Sequence, residues 1–146
     1  MFTVTKKFKF EAAHRLHKLP QPHPCSNLHG HSYKMEVTIG SDDLDPVSGF
    51  VIDFGELKTF QKWLDDNVDH SVILGMDDPL IACLKSADIH TKMYIMNTVQ
   101  SSAEHMAHEF AELIYTQFNN KINIKTLAVK VWETAKNCAV YNMPIK

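Results

Sequence analysis

A strict alternation that runs straight into a pair of histidines constrains this chain more than any other feature. Tyr33, Met35, Val37 and Ile39 alternate with Ser32, Lys34, Glu36 and Thr38, and Gly40 closes the run. Period-two hydrophobicity is what a strand with one buried face requires, because successive side chains point to opposite sides of the sheet. His29 and His31 continue the apolar parity, so both imidazoles face the side of Tyr33, Met35 and Val37. A second alternation opens the chain: Phe2, Val4, Phe8 and Phe10 share one parity, with Lys6 the single interruption. His14 lies just beyond, on the parity of Phe8 and Phe10. If the two strands form a hairpin, the end of one adjoins the start of the other and three imidazoles converge at one edge. Three neutral nitrogen donors with an open fourth position are what catalytic zinc uses, whereas structural zinc is usually closed by four ligands.

The rest of the chain supplies the partners of that hairpin. Asp53 and Glu56 have capping-box spacing and predict a helix carrying Leu57, Phe60, Leu64 and Val68. Asp78 before Pro79 marks another helix start, opening a short turn through Leu84, and Met93, Tyr94 and Ile95 favour a short strand. Ser101 and Glu104 form a second capping box ahead of Met106, Phe110, Leu113, Ile114 and Phe118, one face of a longer helix. Leu127, Val129 and Val131 alternate as a third strand, and Ala139 to Tyr141 form a fourth after a turn at residues 135–137. Short connections favour antiparallel hairpins. The expectation is one α+β domain over residues 1–146, a four-stranded antiparallel sheet with two main helices on one face.

Composition excludes several classes of function. The formal net charge is −2 with no basic block, which argues against nucleic acid or an anionic membrane as partner. No apolar run approaches the ~20 residues of a membrane helix, and the N-terminus lacks a signal-peptide apolar core. Cys25, Cys83 and Cys138 are an odd, scattered set, so no disulfide framework is expected and the cytoplasm is the expected compartment. Cys83 and Cys138 read as buried and inert, His90 and His108 as ordinary exposed residues.

Four further residues stand out beside the histidines. Cys25 sits in C-S-N-L-H-G-H, where a nearby cation would favour its thiolate; base and fourth zinc ligand are both open to it. Asp69 next to His70 is a pair in which a carboxylate can orient an imidazole for proton transfer, or a polar helix terminus. Glu133 shares the parity of Leu127, Val129 and Val131 and so points to an apolar face, where a carboxylate needs donors.

F-E-A-A-H-R-L, C-x-x-x-H-G-H-S-Y, G-F-V-I-D-F, the Asp-His pair and K-V-W-E-T follow one another from about Phe8 to Tyr141. Together they resemble the 6-pyruvoyltetrahydropterin synthase family, and the close spacing of Cys25 to His29 is most like its bacterial 6-carboxy-5,6,7,8-tetrahydropterin synthase branch. The resemblance implies a tunnelling fold, a homo-oligomer (commonly a hexamer of two trimers), and Zn2+ on His14, His29 and His31. It implies Cys25 as catalytic base, Asp69 and His70 as a proton relay, and Glu133 as anchor of the pterin edge that is also drawn into the relay as a catalytic residue. Ser102, Ala103 and Glu104 match a stretch that also meets the pterin. The implied reaction converts 7,8-dihydroneopterin triphosphate to the carboxypterin, with loss of triphosphate and acetaldehyde, on the way to queuosine. Two alternatives are a synthase of the 6-pyruvoyl product and a non-catalytic module whose zinc Cys25 completes. Ser101, Ser102 and His105 depart from the family's usual residues there, and residues 77–96 form a longer stretch than compact members have.

Overall fold

The computed structural model describes residues 1–121 and 123–145. The two opening alternations become β1 (Phe2–His14) and β2 (His29–Ser41), paired antiparallel along their whole length. β1 keeps Phe8, Phe10, Ala12 and His14 buried in one row, and β2 does the same with Tyr33, Met35, Val37 and Ile39. Next to β2 runs β5 (Thr126–Trp132), burying Leu127, Val129 and Val131, and then β6 (Cys138–Met143), both antiparallel to their neighbours.

The sheet is larger than the expected four strands and is not wholly antiparallel. β3 (Ser71–Leu74) pairs parallel with β1 at Ala12 to His14, and β4 (Met93–Ile95) pairs parallel with β3. The order is β4-β3-β1-β2-β5-β6. The α+β class and the antiparallel heart of the sheet agree with expectation. β3 escaped it because four residues, Ser71 followed by Val72, Ile73 and Leu74 in an unbroken apolar row, carry no period.

Among the described residues three helices accompany the sheet: α1 (Lys58–Asn67), α2 (Pro79–Ser86) and α3 (Ala103–Phe118). Phe60 of α1 meets Phe8 edge-on at 5.5 Å, and Phe110 of α3 meets Phe10 edge-on at 6.0 Å. α1 and α3 therefore cover the same apolar face. Each aromatic buried there contributes about 1.5–3 kcal/mol relative to exposure, and the histidines sit at the end of this row. The Asp53–Glu56 capping box does not form. Asp53 accepts from Gly55 N at 2.7 Å, Glu56 pairs with Lys121 at 2.7 Å, and the helix starts only at Lys58. The second box shifts by one: Ser102, not Ser101, caps α3 by accepting from His105 N. α2 is a true helix, begun by the Asp78 side chain accepting from Leu80 N at 2.8 Å with Pro79 in its first turn. Glycine is required at Gly75, where a Cβ would lie 2.0 Å from the Val99 carbonyl. That close approach carries the chain toward Ser101. Cys83 and Cys138 are exposed rather than buried.

Candidate functional site

The β1–β2 register places His14 directly opposite His29, and Ala12 opposite His31. The ligand nitrogens of these three residues all lie within 4.8 Å of one another. His14 Nε2 and His29 Nε2 are 3.2 Å apart. Beneath them lies Tyr33, stacked on Phe10 at 4.8 Å, with its ring 5.4 Å from that of His31 and 5.9 Å from that of His14.

Hydrogen bonds fix which nitrogen is free. His14 Nδ1 lies 2.7 Å from the Ser101 carbonyl and His29 Nδ1 lies 2.7 Å from the Asn27 carbonyl. A carbonyl only accepts, so each Nδ1 carries the proton and each Nε2 keeps its lone pair. Two lone pairs facing each other at 3.2 Å repel. A shared cation relieves that repulsion, and a backbone carbonyl on the distal nitrogen is the usual outer support of a metal-bound imidazole. Protonation is an expensive alternative. Burial pushes His14 down to about 4, against the upward pull of the Ser101 carbonyl and with help from His29 and His31. Burial also lowers His31, partly offset by Glu133. This donor set therefore fits a metal ion.

The other expected residues surround this centre at different depths. Glu133 lies just past β5 with Oε1 3.7 Å from His14 Nε2, so its parity brought it to the cluster. Cys25 is half-buried on a single 3-10 turn (Pro24–Ser26), where its N–H donates to His23 Nδ1 at 3.1 Å. The Cys25 carbonyl accepts from Leu16 N at 2.8 Å, tying its loop to the chain that leaves His14. The three-histidine group does not include its thiol, and among the described residues no hydrogen bond joins that thiol to His70. Asp69 accepts from Glu11 N at 2.8 Å and holds His70 Nδ1 at 2.8 Å. The Glu11 N–H keeps the Asp69 carboxyl below the usual carboxylate range, with His70 assisting against burial. His70 has φ 57°, a left-handed backbone unusual for a residue with a side chain. It lines a cleft of about 350 Å³ with Glu11, Gly30, His31 and Ser32. Ser102 caps α3, Ala103 is buried and Glu104 is exposed in its first turn, one to three residues past the Ser101 carbonyl that holds His14.

Three contributors were not foreseen. Tyr33 Oη is buried below the histidines with no hydrogen-bond partner among the described residues. Ser101 acts through its carbonyl, which no side-chain pattern reveals. The His17 side chain is buried against Asp77 at 3.0 Å. Of the two histidines expected exposed, His90 is in a loop, while His108 sits on α3 with its ring 4.6 Å from that of Tyr141.

Residues 3–144 match the family model described as 6-pyruvoyl tetrahydropterin synthase, and the chain belongs to that family. A Rickettsia conorii protein named 6-carboxy-5,6,7,8-tetrahydropterin synthase is 34% identical over 145 residues, spanning 96% of this chain and 99% of its own. An Aquifex aeolicus protein of the same name is 33% identical over 158 residues, spanning 94% and 96%. The crystal structure of an uncharacterized Wolinella succinogenes protein is similar at TM-score 0.81 with 22% identity, over 96% of this chain and 97% of that one. At that identity it supports the fold alone.

Proposed function

We propose that this chain is a zinc-dependent lyase that converts 7,8-dihydroneopterin triphosphate and one water to 6-carboxy-5,6,7,8-tetrahydropterin, triphosphate and acetaldehyde. The observation that carries the reading is the three-histidine cluster, with the Nδ1 atoms of His14 and His29 spent on carbonyls. The names of the Rickettsia and Aquifex relatives supply the substrate class.

His14, His29 and His31 would hold the Zn2+. Three imidazoles, grouped with no thiolate or fourth donor among the described residues, suit a catalytic rather than a closed structural site. Held there, zinc would supply a Lewis acid for the substrate's side-chain oxygens, lowering the cost of negative charge beside them. Cys25 takes the side-chain proton as thiolate. Its place outside the histidine group favours base over ligand. Asp69 orients His70 through the 2.8 Å hydrogen bond, and His70 returns a proton as triphosphate departs. Glu133 accepts from paired N–H donors on the edge of the pterin, the bidentate partner that a carboxylate matches. Ser102, Ala103 and Glu104, at the start of α3, contribute further pterin contacts.

The proposal includes assembly into a homo-oligomer, a hexamer of two trimers, acting in the cytoplasm on the route to queuosine. Two open sheet edges support assembly: β3 covers β1 only from Ala12 to His14, and β6 is the last strand. No helix among the described residues is long and apolar enough to cross a membrane. The test is to incubate zinc-loaded protein with 7,8-dihydroneopterin triphosphate and assay both leaving fragments. Acetaldehyde and triphosphate in equal amounts are expected. Triphosphate without acetaldehyde would assign the 6-pyruvoyl product instead.

A further inference from the structure

We propose that the start of the 77–96 segment is a brace for the metal centre, with Asp78, Arg15 and Ser101 as positioning residues for His14. This rests on the metal reading above and gives that long segment a task. It is carried by an unbroken chain of contacts from α2 to the His14 ring.

Ser101 grips the ligand from two sides. Its carbonyl accepts the His14 Nδ1–H at 2.7 Å, and its hydroxyl donates to the Arg15 carbonyl at 3.1 Å. One wholly buried residue thus fixes both the ring and the peptide that leaves it. The Arg15 side chain is then held by Asp78. Its Nε lies 2.9 Å from Oδ2, and its second nitrogen bonds Oδ1, a bidentate fork. The Asp78 side chain is fully buried and also caps α2 through Leu80 N. Burial alone would raise its carboxyl, but Arg15, Leu80 N and His17 together hold it below the usual range.

The neighbouring contacts extend the same grip. Asp77 pairs with His17 at 3.0 Å and with Lys18 at 2.7 Å. Leu16 N donates to the Cys25 carbonyl. Every residue from Arg15 to Lys18 is therefore tied down, and the tie at Leu16 sets the Cys25 loop against the cluster. A buried ion pair adds little stability over an apolar replacement, because both charges must be desolvated. What this one supplies is direction: it holds a metal ligand and a reactive loop in one arrangement. Outer supports of this kind set ligand orientation and metal affinity.

The test compares zinc affinity, by competition with a chromophoric chelator, in wild type, Asp78→Asn and Ser101→Ala. Leu64→Ala, a core truncation in α1, serves as a destabilised control, and urea unfolding of each metal-free protein runs beside it. Asp78→Asn keeps an acceptor for Leu80 N but loses the charge facing Arg15. Both brace variants are expected to weaken zinc binding by about 10–100-fold, and their cobalt-substituted forms to change visible absorption. Leu64→Ala is expected to lose stability and keep its zinc affinity. Brace variants that are less stable in urea yet bind zinc within about threefold of wild type would overturn the proposal. Ser101→Ala alone decides it if Asp78→Asn does not fold. Wild type that binds no zinc would overturn the metal reading and the brace with it.

Discussion

Acid should weaken the metal-free fold through His14 in a way that can be isolated. The perturbation is a fall in pH from 7 to 4 with a chelator present. In the unfolded chain His14 takes a proton near its ordinary value of 6.5, whereas in the fold burial holds it at about 4. Between those values the unfolded state binds more protons than the folded state. Stability is therefore untouched by this group above about 6.5, falls as pH drops toward 4, and levels off below it. At about 1.4 kcal/mol per pH unit, the gap amounts to about 3 kcal/mol. Carboxylates held low, such as Asp69 and Asp78, act mainly below their ordinary 3.8 and in the same direction, so a reference is needed. His14→Gln removes the titrating group and keeps a donor for the Ser101 carbonyl. Urea unfolding of both proteins across this range is the assay, and wild type should lose about 3 kcal/mol more than the variant. Parallel stability curves would refute the claim that a neutral imidazole is buried at this position.

Two further predictions concern the residues around the cluster. Asp69→Asn leaves zinc in place but releases His70 from its orienting carboxylate, so kcat should fall about 100-fold or more with KM little changed; a kcat within a factor of two of wild type would remove Asp69 from the relay. Glu133→Gln should raise KM about tenfold or more, the worth of one charge-assisted hydrogen bond, with full zinc content by elemental analysis; loss of zinc would make Glu133 a support of the metal instead.

The parts legible in the sequence were those in which a single local period decides the outcome. β1, β2 and β5 each have one face on the core and one face out, so alternation marks them, and the histidine parity followed from the same geometry. β4 is legible as a short strand at Met93–Ile95, whereas β3, four residues with Val72, Ile73 and Leu74 in a row, has no polar alternation and left no period. Without β3, Asp69 and His70 could be read as a helix end; in the fold they lead into a strand whose neighbour, Glu11, holds both. The failed capping box at Asp53 shows local competition, since its carboxylate bonds Gly55 two residues on before a helix can use it. Ser101 supports His14 through its main chain, and Asp78 lies 63 positions from Arg15. Contacts made by backbone atoms or across such separations have no signature in the sequence.

The account rests on His14, His29 and His31 holding the metal by themselves while Cys25 stands free as a base. The most direct measurement is zinc stoichiometry and turnover on the same preparation of Cys25→Ala. One zinc per chain with turnover lost is the predicted result. Zinc lost together with the thiol would make Cys25 a fourth ligand and the site a structural one.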